Sequence, residues 1–142
     1  MILVKLTGGE PVVKCEIDHL DNEMKSASGE KLFNGLAQNV ARFLQNEKLA
    51  GQEIPLGFTF SFPMAQQSLS EGTLVKWTKG FNCSDVIDQN VADLLSKALS
   101  KIEVSIFTRK DIYLLYFIEP LLHTYNINSP GNKKGKSSGT GE

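Results

Sequence analysis

The chain carries few of the side chains that do chemistry unaided: two cysteines and two histidines in 142 residues. Cys15 and Cys83 stand apart, with no Cys-x-x-Cys pair. That excludes the common zinc patterns and a disulfide scaffold, and both read as reduced thiols of a cytoplasmic protein. His19 and His123 have no serine or cysteine constellation nearby and read as loop or surface residues. Neither sign of charge dominates. Fifteen Lys and Arg against 16 Asp and Glu leave a net charge of −1, which argues against nucleic acid as a partner. No signal peptide is evident, and the apolar run Ile112–Ile118 is far shorter than the ~20 residues of a membrane span.

What is present reads as a soluble globular domain, 41% hydrophobic and 22% charged, long enough for one real core. Ile2–Leu6 and Val12–Ile17 read as strands around Thr7-Gly8-Gly9-Glu10, where Gly-Gly supplies the positive φ of a tight hairpin turn. This Gly-Gly is no phosphate loop, because no helix N-terminus follows to present N–H groups to an anion. Ser26 or Ser28 caps a helix from about Gly29 to Asn46, with Leu32, Phe33, Leu36, Ala37, Val40, Phe43 and Leu44 on one face. Asp88 is the predicted N-cap of a second helix, from about Gln89 to Lys101. Its stripe is Val91, Leu94, Leu95, Ala98, Leu99 and Ile102. Both stripes are core faces, expected to cover a sheet.

Between the helices, Leu56–Phe81 is the richest segment. Phe58, Phe60 and Phe62 alternate with Gly57, Thr59 and Ser61 in a strand. Pro63 lacks an N–H and stops it, leaving Ser61 at the strand's C-terminal end, where open α/β sheets bind ligands. A polar turn then leads to a second strand-like segment, Leu74–Phe81, that ends in Thr78, Lys79 and Gly80 and is anchored by Trp77 and Phe81. Taken alone, Ser61 is a strand-end turn former, and Thr78 and Lys79 are an exposed strand exit. Together, two hydroxyls and an ammonium suit a neutral, hydroxyl-rich ligand.

This segment, from Leu56 through Ser61-Phe62-Pro63 to Trp77-Thr78-Lys79 and Phe81, resembles the sugar-binding signature of eukaryotic hexokinases. The resemblance covers roughly residues 1–102. It implies that Ser61, Thr78 and Lys79 hydrogen-bond the hexose, with glucose as the small-molecule partner. It also implies an α/β fold, a partial ribonuclease-H-like small lobe of the actin and hexokinase type. In that fold a first, central strand runs between the counterparts of Ile2–Leu6 and Leu56–Phe60. The chain starts after that strand, so the edges of both are expected to be exposed or to pair with each other. Exposed apolar edges invite aggregation or strand pairing. A marginal or misassembled fold is the expectation.

The rest departs from the family. The family's phosphate loop, Asp-Leu-Gly-Gly-Thr-Asn, and its Asn-Asp-Thr loop bearing the catalytic Asp are both missing. Val104–Thr108 imitates the start of the strand that leads to the second loop. Asp111 sits among Arg109, Lys110 and an apolar run and does not replace the catalytic Asp. Residues 103–128 form a divergent apolar segment, with Ile112–Ile118 as a strand or short helix. Residues 129–142 read as a disordered basic, Gly/Ser-rich tail. In that tail, Gly131-Asn-Lys-Lys-Gly135-Lys136-Ser137 has three residues between its glycines where a P-loop requires four. The resemblance therefore implies a piece of an ATP-dependent hexokinase whose ATP and Mg²⁺ groups lie outside this chain. It is expected to contribute hexose contacts and to be inactive alone. A non-catalytic sugar-binding module and a protein-interaction fragment remain open alternatives.

Overall fold

The computed structural model describes residues 1–52 and 54–102 in full and residues 112–115 as backbone. Val104–Thr108, Asp111, His123, the 129–142 tail and its glycine-lysine decoy lie outside the described residues.

The chain opens with a hairpin of β1 (Ile2–Lys5) and β2 (Val12–Cys15), antiparallel, with Ile2 opposite Cys15 and Lys5 opposite Val12. The predicted tight Gly-Gly turn is instead a loop over residues 6–11. Only Gly8 of the pair has positive φ, and the Thr7 hydroxyl donates to the Glu10 carbonyl at 3.1 Å. A type I′ turn on Gly8-Gly9 would need left-handed backbone at both central positions. Along the ladder Ile2, Val4, Val13 and Cys15 share one face. Ile2 is 67% exposed and Val13 57%, so that face meets solvent. The other face is tied to the helical layer by Lys14–Glu47, and Arg42 holds Glu16 and Asp18 just beyond the hairpin.

A short helix α1 (Asn22–Lys25), capped by Asp21 accepting from the Met24 N–H at 2.7 Å, precedes α2 (Gly29–Asn46). Four residues are too few for an apolar stripe, which is why α1 is invisible in the periodicity. Ser28 caps α2, accepting from the Lys31 N–H, and α2 has the span expected of it. Helix α3 (Val91–Lys101) begins later than expected, with Asn90 and not Asp88 as its cap. Asp88 sits at φ +62, while Asn90 is extended and accepts from the Ala92 N–H at 3.1 Å. An N-cap needs the extended conformation, which a left-handed residue cannot supply.

Strand β3 (Leu56–Thr59) pairs in parallel with β6 (Ile112–Leu115), Leu56 opposite Ile112 and Thr59 opposite Leu115. The polar stretch after Pro63 is not a simple turn but a second hairpin, β4 (Met64–Ser68) and β5 (Glu71–Leu74), with a register shift between Gln66 and Ser68. Most of β4 is exposed, so it lacks the apolar alternation that marks a half-buried strand. The expected second strand over Leu74–Phe81 survives only as Leu74, the last residue of β5.

The core joins Leu32, Phe33 and Ala37 of α2 to Val91, Leu95, Ala98 and Leu99 of α3, over Phe60, Leu74 and Val86. Burying each of these large side chains contributes roughly 1.5–3 kcal/mol. The edges of β1 and β3, expected to be exposed or to pair with each other, do not pair, and among the described residues β1 has β2 as its one ladder neighbour. A groove lined by Met1, Leu20, Leu36, Val40, Leu56 and Phe58 runs along β3, which finds its ladder partner in β6. Among the described residues, no helix is long and apolar enough to cross a membrane.

Candidate functional site

Ser61 sits where β3 gives out. The Phe62 N–H donates back to the Phe60 carbonyl at 2.9 Å, a two-residue span that makes Ser61 the centre of a γ-turn. Ser61 is absent from the positive-φ residues, so the turn is of the inverse kind, common at strand ends. The turn leaves Ser61 exposed while Phe60 goes into the core and Phe62 is half-buried.

Thr78 and Lys79 sit at the first and second positions of a tight turn. The Phe81 N–H donates to the Thr78 carbonyl at 3.0 Å, and Lys79 and Gly80 have φ of +56 and +78. Positive φ at both central residues defines a type I′ turn. Glycine adopts this backbone freely, but for a lysine it costs about 1–2 kcal/mol. Strain of this kind persists only where the surroundings over-determine it.

The surroundings here are aromatic. Phe62 meets Trp77 edge-on at 4.8 Å between centroids, Trp77 stacks on Phe81 at 5.6 Å, and Phe60 lies 4.7 Å from Phe62. The Trp77 indole N–H donates to the Cys83 carbonyl at 2.8 Å. The Cys83 thiol in turn donates to the Lys25 carbonyl at 3.2 Å, and burial pushes its pKa up, so it stays a protonated donor.

The structure thus brings the two halves of the expected site together. The Lys79 ammonium donates to the Ser61 carbonyl at 3.0 Å and stands 5.8 Å from the Phe62 ring centroid. The contact runs through the main-chain oxygen of Ser61, not its hydroxyl. The hydroxyls of Ser61 and Thr78 have no protein partner among the described residues, and each has both a donor and an acceptor to offer. Missed at the sequence level were the indole–carbonyl bond and the I′ turn. The Lys79-Gly80 pair was a signal for the turn; nothing local announces Cys83 as the indole's acceptor.

Among the described residues, no three His, Cys, Asp or Glu lie together so as to hold a metal ion. The hairpin loop at Gly8-Gly9 leads into β2 rather than a helix, so it presents no helix N-terminus to phosphate.

The family model for hexokinase matches residues 1–110. Human Hexokinase HKDC1 is 40% identical over 103 residues, 71% of this chain and 11% of that protein. The hexokinase of Schistosoma mansoni is 45% identical over 84 residues, 59% of this chain and 19% of that protein. A solved structure, hexokinase from Schistosoma mansoni complexed with glucose, superposes with a TM-score of 0.73 at 38% identity. It covers 80% of this chain and 25% of that one. The chain spans between a tenth and a quarter of the length of these relatives. With the β3 exit, the I′ turn and the α2–α3 core carried on a family match over most of its length, this chain belongs to the hexokinase family.

Proposed function

We propose that Ser61, Thr78 and Lys79 are hexose contacts, belonging to an ATP-dependent phosphotransferase that acts on the 6-hydroxyl of glucose. The observation that carries this is the Lys79–Ser61 contact at 3.0 Å, which brings the exposed Ser61 and Lys79 together, with the half-buried Thr78 next to Lys79 in the turn. A neutral polyol needs such a set: donors and acceptors at fixed spacing and no excess charge to desolvate. ATP and Mg²⁺ would be held by parts of the enzyme beyond this chain, and the cytoplasm is the compartment consistent with two reduced thiols.

Transfer to a sugar hydroxyl needs a base, sugar-fixing donors, a cradle for the triphosphate and exclusion of water. This chain supplies some of the sugar-fixing donors. Two neutral hydrogen bonds contribute about 0.5–1.5 kcal/mol each and one from the ammonium about 1.5–3 kcal/mol, against an association cost of about 4–15 kcal/mol. Glucose binding by the chain itself is therefore weaker than millimolar, and turnover is absent. Coupled-enzyme assay of the purified chain beside a version extended at both ends tests this reading. Phosphorylation by the extended protein only is the expected result; turnover by the short chain would overturn the assignment of the catalytic groups elsewhere.

A second reading is favoured by the open apolar face of the first hairpin, where Leu6 and Ile17 are 84% and 76% exposed. In it the chain is an interaction module that recruits a partner strand along β1. A defined complex in pull-downs, lost when Val4 and Ile17 are changed to Lys, would favour this reading.

A further inference from the structure

We infer that Trp77 is the positioning residue of the candidate hexose site, through an indole hydrogen bond that holds the Thr78–Phe81 turn in its left-handed form. The inference deepens the hexose reading and rests on it for the turn's purpose, though not for the turn's geometry. Three observations converge. Trp77 is the chain's single tryptophan and immediately precedes Thr78. Its N–H is used at 2.8 Å on the Cys83 carbonyl, six residues on, so the bond spans the turn and fastens one side of it to the other. Its ring packs edge-on against Phe60 and Phe62, the residues on either side of Ser61. One side chain therefore sets both the shape of the Lys79 turn and its distance from the Ser61 γ-turn.

The strain at Lys79 explains why a fastening is required. A lysine at φ +56 relaxes to an ordinary negative φ unless the ends of its turn are fixed. The acceptor is itself fixed: the Asn82 N–H donates to the Lys25 carbonyl at 2.9 Å, and the Cys83 thiol donates to the same oxygen. The turn is thus referred through Cys83 to the end of α1. A tyrosine or phenylalanine at position 77 would pack but would carry no N–H to the carbonyl.

The test replaces Trp77 in the full chain in two ways: Trp77→Phe, and incorporation of benzothienylalanine, which keeps the indole's shape and puts sulfur where the N–H was. Amide hydrogen exchange at Phe81, whose N–H closes the turn, is compared with exchange at Leu95 in the core. The intraresidue Hα–HN cross-peak of Lys79 reports the sign of φ. Both variants are expected to lose tenfold or more of the Phe81 protection and the positive-φ signature, while Leu95 changes less than threefold. Glucose raised toward its solubility limit should shift the Ser61, Thr78 and Lys79 resonances in the parent chain and not in the variants. If benzothienylalanine leaves Phe81 protection and the Lys79 signature intact, the inference is overturned, whatever glucose does. If the turn loosens as stated but glucose shifts nothing in the parent chain, Trp77 holds the turn and the hexose reading fails.

Discussion

The Lys79 ammonium reaches back across the candidate site to the main-chain oxygen of Ser61, 3.0 Å away. That bond joins a lysine held in a strained left-handed turn to the γ-turn at the end of β3, and two substitutions separate its parts. Lys79→Met removes the ammonium and keeps the aliphatic stem. The contact is exposed, so stability should fall by only about 0.5–1.5 kcal/mol. Lys79→Gly also loses the ammonium but releases about 1–2 kcal/mol of backbone strain, leaving stability equal to or above the parent. Both should abolish glucose-dependent shifts at Thr78. Urea unfolding and NMR titration check the two halves, and a Lys79→Gly chain much less stable than Lys79→Met would refute the strain.

Gly29 begins α2 against the loop at residues 84–86. A Cβ built there would lie 2.3 Å from Val86 Cγ2 and 2.9 Å from the Ser84 carbonyl oxygen. The main-chain oxygen cannot swing away, because the Gly29 N–H donates to it at 2.9 Å. Gly29→Ala should therefore cost about 1–3 kcal/mol despite alanine's better helix propensity. Gly80→Ala meets nothing within 4 Å, and its cost should come from φ +78 alone, about 1–2 kcal/mol. Denaturant midpoints compare the pair.

Asn90 makes three contacts that Asp88 does not. Its Oδ1 accepts from the N–H of Ala92 at 3.1 Å and of Gly72 at 3.3 Å, and its Nδ2 donates to the Ser70 carbonyl at 3.5 Å. It caps α3 and fastens the β4–β5 hairpin to it. Asn90→Ala should cost about 2 kcal/mol. Asp88→Gly, which relieves a left-handed aspartate, should be neutral or stabilising. Equal losses from the two substitutions, measured by thermal melting, would return the cap to Asp88.

The thiols should behave as two populations. Cys15 is exposed and Cys83 is 3% exposed, so a thiol reagent should modify one cysteine rapidly and the second only as the chain unfolds. Burial raises the Cys83 pKa in the folded state, partly offset by a hydrogen bond from Ala27. Raised in the folded form, this group contributes its stability in full below the ordinary thiol pKa. That contribution is lost as pH climbs from there through the folded value. Stability should fall across that alkaline range, and Cys83→Ala should remove the fall. An identical pH profile in the variant would refute the linkage.

The two-stranded sheets and the open hairpin face give little cross-support, and a broad, low-temperature unfolding transition is expected. A sharp, cooperative calorimetric peak would contradict that expectation.

Helix α2 was legible because its evidence is internal: Ser28 to cap it and apolar residues at helical spacing. Helix α3 was legible in its stripe and misread at its start, since Asp88 and Asn90 are both good caps and only φ distinguishes them. The β4–β5 hairpin was missed because its exposed strand carries no alternation to detect. The β3–β6 pairing was missed because ladder partners far apart in sequence leave no local mark. In the site, Ser61, Thr78 and Lys79 came from a resemblance, while the left-handed turn and the Cys83 acceptor came only from the folded backbone.

Leu56 and its ladder partner Ile112 are 112 − 56 = 56 positions apart. At a synthesis rate of about 5–20 residues per second, β3 would wait roughly three to eleven seconds after its translation before Ile112 is made. Through that interval a nascent, half-finished sheet edge stays available to chaperones and to other chains on the same polysome. Yield in the cell should therefore respond to translation speed and holdase supply more than to substitutions in the two helices.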